Sequence, residues 1–534
     1  MIGTLSLIDV VIIIGSVLFV MVVGIVAGRK REDTARGYFL GGNKMPWWLI
    51  GTAFVATGIS SEQMVGTVGV TYQHGMGIAN WEWFFLPPYA MMLIFFIPIY
   101  LKNKVITVPG FLADRFGPLC GTIYSVLLLF VYVFVYMVTV LYSGSLACSE
   151  LTGWHLYPVL IGTALVVGAY VTHGGLVSVM WTDLFQCILL MTGGSLVFFL
   201  ALDKIPGGWH AMVAASPERM HLYQPANHEL APFLGMIVAT FGAFTFYQVG
   251  NQSMIQRMLS ARSTWDAQIG LVLASFLCVF RPLVTCFLGL VVYHWINVMH
   301  KAPPLVNNDT AFTFALTNLA PSWGVRGIVL AGFVAAVMST LSALINSTST
   351  IFATDIYKKH IHKDASEHQM VRVGMTASLV SLVIATAMAP IVAKWGIFKF
   401  FQTAMTYIAV PFMATILMGI FWKRVNYAAG LFGLIGGVVI QICVAFLFSG
   451  SFELFPKLHF FYVGGIAQVL IMVGITIVTL LTKPADPVKV APFMWSLDVL
   501  KNYDDGRKRP WYAQLKLWWS VLTLAWVLLY WKFW

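Results

Sequence analysis

Charged side chains are scarce in this sequence. Asp, Glu, Lys and Arg together make up 10% of its 534 residues, whereas they make up about a quarter of an average soluble protein. Hydrophobic residues make up 59%, and the mean hydropathy is +0.82. The longest polar stretches, 203–230 and 482–516, have about 30 residues each, which is too few for a soluble catalytic domain. The sequence therefore predicts an all-α integral membrane protein with a single membrane domain, 1–534.

Motifs of metal and enzyme sites are also missing. The six cysteines have neither a CxxC pattern nor metal-ligand spacing, so we interpret them as small packing residues. No HExxH, GxSxG or phosphate-binding loop occurs in a plausible context, and the twelve histidines are scattered. We therefore predict that the protein is not an enzyme.

Apolar runs of roughly 20 residues, the length that crosses a bilayer, recur along the whole chain. They predict about fourteen transmembrane helices, near 6–28, 47–70, 78–101, 119–147, 156–172, 179–202, 231–250, 268–298, 327–354, 373–393, 398–421, 427–448, 460–481 and 517–531. If the N-terminus lies outside, most of the 32 Lys and Arg residues fall in inside loops. The net charge of +11 then reflects a basic cytoplasmic face and does not indicate nucleic-acid binding.

The most informative segment is Thr57-Gly-Ile-Ser-Ser-Glu-Gln-Met-Val-Gly-Thr67, inside the predicted span 47–70. Polar residues at membrane depth usually face a cavity, a pathway or a bound ion. A second polar break, Phe241–Gln252, follows five spans later. Corresponding breaks in two five-helix halves are typical of an inverted-repeat transporter, and here hydropathy and spacing alone indicate the repeat.

Hydroxyl side chains cluster deep in the ninth predicted span, at Ser339, Thr340 and Ser342. Hydroxyls, together with carbonyls freed by a helix break, are hard oxygen ligands that suit an alkali cation. The alternative is helix packing, because small and hydroxyl residues let membrane helices approach closely.

Five further polar residues in or near spans are candidates for a binding site. Gln63 and Gln402 offer amide donors and acceptors, as sugar recognition needs, or they form interhelical hydrogen bonds. Glu82 is either a ligand group or a carboxylate at the water boundary. Asp183 either attracts a departing cation or caps a helix. Arg281, near mid-span, needs a partner such as Glu82 or a substrate anion.

Several stretches of the chain, in this order, resemble the sodium:solute symporter family, and within it the sodium/galactose and sodium/glucose cotransporters. They are Tyr38-Phe-Leu-Gly-Gly, Ile59-Ser-Ser-Glu-Gln63, Trp181-Thr-Asp183, Ile255-Gln-Arg257, Asn346-Ser-Thr through Asp355-Ile-Tyr357, and Phe421-Trp-Lys-Arg424. The resemblance implies a five-plus-five inverted-repeat core of the LeuT type over 47–421. It also implies an extra N-terminal helix, 6–28, and extra C-terminal helices over 427–534.

The resemblance also implies a sodium site. Its ligands would be the carbonyls and hydroxyls of Ala56, Ile59, Ala336, Ser339 and Thr340. Asp183 would lie on the inward sodium path. Ser342 matches one hydroxyl of a second sodium site found in some members, but the neighbouring Ala343 offers no ligand to it.

For a sugar site, the resemblance implies polar contacts from Gln63, Glu82 and Gln402. Tyr247 matches an aromatic residue that closes the inner side, and Phe398 matches an outer hydrophobic gate.

The chain departs from the sugar transporters at three other positions where the resemblance implies a polar residue. Cys278 stands where a sugar-contacting lysine is expected, Phe244 replaces an asparagine and Phe85 replaces a serine. Arg281, three residues after Cys278, lies on roughly the same helix face. We expect it to replace the missing cation.

Together these observations predict a sodium-driven symporter in the plasma membrane that imports a sugar or sugar-like solute by alternating access. Its partners would be the solute, Na⁺ and the lipid bilayer, with no obligate protein partner evident. Two alternatives stay open at this point. One is a symporter of an anionic solute, such as an acidic sugar, with Arg281 as counter-charge. The other is a sodium-permeable channel or sensor.

Overall fold

The computed structural model describes residues 5–29, 32–321, 324–390, 397–450, 455–501, 507 and 509–534. The side chains of 170, 172, 173, 397–400, 403, 500 and 501 lie outside this description. Every regular element in the described ranges is a helix.

The long helices, in chain order, are α1 (Leu7–Gly28), α2 (Trp47–Gly58), α3 (Ser61–His74), α4 (Met76–Lys102), α5 (Pro118–Thr152), α6 (Leu156–Ala169), α7 (Gly174–Asp203), α8 (Phe233–Val249), α9 (Gln252–Leu259), α10 (Thr264–Val298), α11 (Val325–Ile361), α12 (Glu367–Met388), α13 (Ile397–Phe421), α14 (Tyr427–Leu447), α15 (Phe460–Leu481) and α16 (Leu515–Phe533). Helices α6 and α7 form one element with a kink at Gly175. Shorter helices include Ala35–Leu40, Val108–Phe116 and Gly208–Ala215.

Within the described ranges, ten helices are long and apolar enough to cross a membrane, or eleven if the bent pair α8 and α9 forms one span. Each of the fourteen predicted segments contains a helix, but some do not meet that criterion. The segment 47–70 is split into α2 and α3, and α6 is short. In α16, Trp, Tyr and Lys side chains lower the hydropathy. The all-helical membrane class is therefore established, and the count of fourteen stays a prediction.

The polar segment that interrupts the span 47–70 is a true helix break. Helix α2 ends at Gly58 and α3 begins at Ser61. The two residues between them, Ile59 and Ser60, have extended backbone. A helical carbonyl normally accepts from the N–H group four residues later, so an extended pair frees the carbonyls at the end of α2. Helix α2 packs against α10 and α11, and α3 packs against the second half of α10. The freed carbonyls therefore lie inside the helix bundle.

The second predicted break separates α8 from α9, which are bent by 59° relative to each other. Tyrosine hydroxyls donate hydrogen bonds to the carbonyl and amide oxygens at this break. Tyr100 donates to the Val249 carbonyl over 3.3 Å, and Tyr124 donates to the Gly250 carbonyl over 2.9 Å. Tyr132 donates to the side chain of Asn251 over 2.6 Å. The backbone here is satisfied by protein groups, as irregular backbone at membrane depth requires.

The remaining helices surround these two breaks. Helix α1 packs against α7 and α11, and the buried Asp9 carboxylate accepts from the Gly327 N–H over 2.7 Å. Helices α14 and α15 pack against α13, and α16 packs against α10. These contacts place α1 and α14–α16 around the helices that hold the breaks.

Close packing of α3 against α10 depends on Gly289. A Cβ atom added there would lie 2.3 Å from the Val68 carbonyl oxygen and 2.8 Å from the Tyr72 nitrogen. Gly289→Ala is therefore expected to destabilise the protein by about 1–3 kcal/mol, as overpacking does. A thermal melt in detergent measures the effect. Gly162→Ala is the control, because a Cβ at Gly162 meets nothing within 4 Å. Equal melting temperatures for both variants would contradict this packing.

Candidate functional site

A cleft with about 640 Å³ of atom-free space lies beside the first helix break. Its walls come from α2, α3, α4, α8, α9, α10 and α13. Five of the six residues predicted to contact the solute line it, namely Gln63, Glu82, Tyr247, Arg281 and Gln402. The side chain of the sixth, Phe398, lies outside the described residues. Sequence positions separated by more than 300 residues therefore meet in one cleft.

Arg281 is the central charged group of the cleft. Its Nη2 atom lies 2.9 Å from Glu82 Oε2, and it donates to the Gly58 carbonyl over 2.8 Å and to Gln63 Oε1 over 3.0 Å. Arg281 is 8% exposed and Glu82 is 1% exposed. Glu82 is thus a buried member of an ion pair and not a carboxylate at the water boundary. Arg281 in turn connects the solute cleft to the backbone of the broken helix.

Besides Glu82 Oε2, which faces Arg281 in the ion pair, three buried polar atoms of the cleft residues have no hydrogen-bond partner among the described residues. They are Glu82 Oε1, Arg281 Nε and Gln248 Oε1. A buried polar atom without a partner costs free energy, so native proteins rarely keep one without a reason. Two acceptors and one donor around a cavity are what a bound molecule with hydroxyl groups would satisfy.

Aromatic rings form much of the remaining wall, including Trp81, Tyr89 and Phe401. Phe85 and Phe244 also line the cleft. Cys278 is fully buried and lies 3.6 Å from the Tyr89 hydroxyl. On this face of α10, Arg281 is the residue that reaches the cleft. That Arg281 takes the place of the missing cation stays a prediction.

The predicted sodium ligands lie at the first helix break. The Thr340 hydroxyl is 3.3 Å from the Thr57 carbonyl oxygen and 3.5 Å from the Ile59 carbonyl oxygen. Ser339 lies one residue earlier on α11 and is fully buried. Ala56 and Ala336 are buried on the facing helices α2 and α11. The Thr340 hydroxyl and the Thr57 and Ile59 carbonyls thus lie together where the backbone is freed, and oxygens of these kinds suit an alkali cation.

Asp183 lies beside this cluster. It belongs to α7, nine residues after the helix start, and is therefore not a helix cap. Its Oδ1 atom accepts from the Ser339 hydroxyl over 2.6 Å, and its Oδ2 atom lies 2.9 Å from Arg257 Nη2. Both side chains of this ion pair are 0% exposed. The Asp183 charge is balanced by Arg257, and Asp183 fixes the direction of the Ser339 hydroxyl.

Ser342, the candidate for a second sodium site, donates to the Ser339 carbonyl within α11 over 2.8 Å. Its neighbour Ala343 is buried and offers only its backbone. A second sodium site therefore stays a prediction.

Two residues of the site were not singled out as candidates from the sequence. Gln248 follows Tyr247 in the second polar break, so its position in that break was an available signal. Arg257 belongs to the stretch Ile255-Gln-Arg257, but nothing in the sequence connects it to Asp183, which lies 74 residues earlier.

Comparison with known proteins identifies the family. The model of the sodium:solute symporter family matches residues 38–437, which include both helix breaks and every candidate residue of the site. The chain belongs to the sodium:solute symporter family. Family membership implies sodium as the coupling ion and a multi-pass transporter, not an enzyme, as the sequence predicted.

Two relatives in this family are similar over most of the chain. The sodium/glucose cotransporter of Vibrio parahaemolyticus is 32% identical over 83% of this chain and 86% of its own length. Sodium/glucose cotransporter 1 of Oryctolagus cuniculus is 29% identical over 92% of this chain and 81% of its own length. The similarity therefore extends over almost all of the symporter and is not restricted to one motif.

A solved structure has the same fold. It is a Na⁺-coupled sialic acid symporter in a substrate-bound outward-open state, in which a novel Na⁺ site is described. The TM-score is 0.80 at 21% sequence identity, and the match covers 90% of this chain and 99% of the other. The likeness establishes that this chain has the fold of that structure.

Proposed function

We propose that this symporter imports a neutral solute with several hydroxyl groups, a sugar or a sugar-like molecule, together with Na⁺. The observation that carries the proposal is the Arg281–Glu82 pair in an aromatic cleft. The pair has no net charge, yet it leaves Glu82 Oε1 and Arg281 Nε without partners. A solute hydroxyl can donate to the first atom and accept from the second. The rings of the cleft supply flat apolar surfaces for the carbon faces of the solute.

An anionic solute, such as an acidic sugar, is the second candidate, because a guanidinium binds carboxylates well. The ion pair argues against an anionic solute, because Glu82 Oε2 lies 2.9 Å from Arg281 Nη2 and already balances its charge. Glu62, 1% exposed on the adjacent helix α3, adds a second carboxyl group nearby. Neutral solutes therefore fit the balance of charges better.

For sodium we propose a site formed by the carbonyls of Ala56, Ile59 and Ala336 with the hydroxyls of Ser339 and Thr340. Its support is the freed backbone at Ile59 and Ser60 and the approach of Thr340 to the break. Asp183 would direct the Ser339 hydroxyl and attract the ion as it leaves inward. Ser342 remains the candidate for a second ion.

The transport cycle that we propose uses a ten-helix core, 47–421, of two inverted five-helix repeats in the plasma membrane. The helices in 6–28 and 427–534 would surround that core. Sodium would stabilise the outward-open state, and the solute would then bind before the gates exchange. The membrane potential contributes about 2.3 kcal/mol per charge per 100 mV, so one Na⁺ could support accumulation of a neutral solute.

Uptake into proteoliposomes tests the proposal. The panel should contain hexoses, cyclic polyols, acidic sugars and amino acids, each with and without an imposed sodium gradient. We expect accumulation of a neutral hydroxylated solute only with inward-directed sodium. Preference for an acidic sugar would support the anionic alternative. A sodium leak that no solute alters would identify a channel or sensor.

Gln402 provides a more local test of the solute site. Its amide lines the cleft and is 6% exposed. Gln402→Ala is expected to weaken solute affinity about tenfold, which corresponds to the roughly 1.4 kcal/mol of a hydrogen bond to the solute. The affinity is measured on purified protein in saturating sodium, as the concentration of unlabelled solute that displaces half of the bound labelled solute. Asn318→Ala, at an exposed amide outside the cleft, is the control. Unchanged solute affinity in Gln402→Ala would place the site elsewhere.

A further inference from the structure

One buried carboxyl group beside the first helix break has no assigned role in the transport cycle proposed above. Glu62 lies in the first turn of α3, two residues after Ser60, and is 1% exposed. It does not line the solute cleft, although its neighbour Gln63 does. Its side chain accepts from the Ser60 hydroxyl, and no hydrogen bond among the described residues joins it to a proposed sodium ligand. A buried titratable group at the break is therefore left without an assignment.

The buried charges around the first break do not balance. Asp183 is paired with Arg257 over 2.9 Å, and Glu82 is paired with Arg281 over 2.9 Å. No described cation lies within ion-pair distance of Glu62, and the charge that acts on it is the like charge of Glu82. An ionised Glu62 would therefore leave one negative charge at membrane depth without a partner. Such a charge is costly, and a buried carboxyl group usually avoids the cost by taking up a proton.

Few donors are available to stabilise an anion at Glu62. The start of α3 favours negative charge and Ser60 donates one hydrogen bond, but a carboxylate has about four acceptor positions. Besides Glu82 on α4, the titratable side chains that face Glu62 are Tyr136 on α5 and Tyr247 on α8. The Tyr136 hydroxyl is buried and donates to no described residue. Neither α11 beside the break nor the described side chains of α13 bring a charged group. These surroundings fit the neutral acid better than the anion.

We propose that Glu62 is a proton-binding site, occupied in the sodium-free transporter, and that Na⁺ at the adjacent helix break displaces the proton. The displacement rests on the sodium site proposed above, whose Ile59 carbonyl lies three residues before Glu62. A cation there would supply the counter-charge that Glu62 lacks. The O–H bond of the acid would then break, the proton would leave to water, and the carboxylate would remain beside Na⁺. One positive charge replaces another, so the charge of the buried site stays the same. A proton fits Glu62 itself better than Na⁺ does, because Na⁺ needs several oxygen ligands and only the Ser60 hydroxyl is bonded to this carboxyl.

Infrared difference spectroscopy of the purified full chain tests the proton on Glu62 without reference to sodium. The wild type is compared with Glu62→Gln in sodium-free buffer at neutral pH. Glutamine has the size and the neutrality of the protonated acid, so the variant should fold. We expect the wild type to show the carbonyl band of a protonated carboxylic acid and Glu62→Gln to lack it. Glu218→Gln, at an exposed carboxylate in the loop after α7, should keep the band. A wild-type spectrum without a band that Glu62→Gln removes would overturn the proposal.

Proton release measures the displacement. Sodium chloride, or potassium chloride as the control salt, is added to the purified protein in weak buffer with a pH indicator. We expect sodium to release about one proton per ion bound from the wild type and from Glu218→Gln, and none from Glu62→Gln. The sodium concentration that gives half-maximal thermal stabilisation should fall as the pH rises, by up to about tenfold per pH unit in the wild type. In Glu62→Gln it should not depend on pH and should equal the wild-type value at acid pH.

The other outcomes separate this proposal from the sodium site. Stabilisation by sodium without proton release would overturn the displacement and leave the sodium site intact. No response to sodium at any pH would overturn both, whereas the infrared band would still report the proton on Glu62. Loss of all sodium stabilisation in Glu62→Gln alone would show that Glu62 binds Na⁺ directly, and would overturn the proton assignment.

Discussion

Arg281→Gln is expected to abolish most sodium-driven solute uptake and to lower the stability of the protein. The substitution removes the partner of Glu82, which is 1% exposed, and leaves a buried carboxylate without its counter-charge. Breaking a buried ion pair on one side typically costs about 3–5 kcal/mol. The same change removes the donor to the Gly58 carbonyl and to Gln63. Uptake, solute affinity and the melting temperature should be measured on the same preparation.

The double variant Arg281→Gln/Glu82→Gln separates folding from recognition. It removes both charges, so the melting temperature should recover most of the loss, with a coupling of about 0.5–3 kcal/mol between the two sites. Solute affinity should stay at least tenfold below that of the wild type, because the donor and acceptor of the cleft have changed. Full recovery of affinity would show that the pair has only a structural role.

Glu82→Gln alone distinguishes the two kinds of solute. If the solute is neutral and donates to Glu82, this variant should weaken its binding. If the solute is an acid held by Arg281, freeing Arg281 from Glu82 should strengthen binding instead. Acidic sugars should therefore gain affinity if Arg281 holds their carboxylate. Neutral sugars should lose affinity if they donate to Glu82. Tighter binding of the physiological solute in Glu82→Gln would contradict the neutral assignment.

Local sequence signals were enough to locate the first helix break and Arg281. The mixture of glycines, hydroxyls and a carboxylate between Thr57 and Thr67 cannot face lipid, and the structure shows the break at Ile59 and Ser60. Arg281 was singled out as a cation near mid-span, and only the family resemblance related it to Cys278. Its partner Glu82 was named as one of two alternatives, because a mid-span cation requires a carboxylate or a bound anion.

Other features depend on tertiary geometry that no local pattern records. The Asp183–Arg257 pair joins α7 to α9 across the bundle, and neither residue carries a signal that names the other. Prediction of the number of spans from sequence is limited for a different reason. Hydropathy finds segments, but breaks such as the one after Gly58 divide a segment into helices too short to cross alone.

Both breaks interrupt an apolar span with polar residues, but their surroundings differ. At the second break, hydroxyls of Tyr100 and Tyr124 occupy the Val249 and Gly250 carbonyls. At the first break, the single Thr340 hydroxyl lies 3.3 and 3.5 Å from the Thr57 and Ile59 carbonyls. One hydroxyl proton faces two carbonyls here, whereas each carbonyl at the second break has its own tyrosine, and this difference supports the proposal of a cation at the first break.

Ser339→Ala is expected to weaken sodium activation of transport by about tenfold or more, with a loss of stability of about 1–3 kcal/mol because Asp183 Oδ1 loses its donor. A serine hydroxyl has one proton and two lone pairs. Ser339 donates its proton to Asp183 Oδ1 over 2.6 Å, so both lone pairs remain for an ion. Alanine removes this ligand while the Asp183–Arg257 pair stays intact. The concentration of sodium that gives half-maximal uptake measures the effect, and sodium-dependent thermal stabilisation provides a readout without transport.

Asp183→Asn should behave differently, and the contrast tests the proposed geometry. Asparagine leaves Arg257, which is 0% exposed, without its counter-charge, so we expect a loss of stability of about 3–5 kcal/mol in addition to weaker sodium activation. Ser342→Ala serves as the comparison for a second ion. A change in the steepness of sodium activation in Ser342→Ala would indicate two coupled ions, and an unchanged curve would indicate one. Unaltered sodium activation in Ser339→Ala would remove Ser339 from the sodium site, because its hydroxyl is the ligand that Asp183 holds in place.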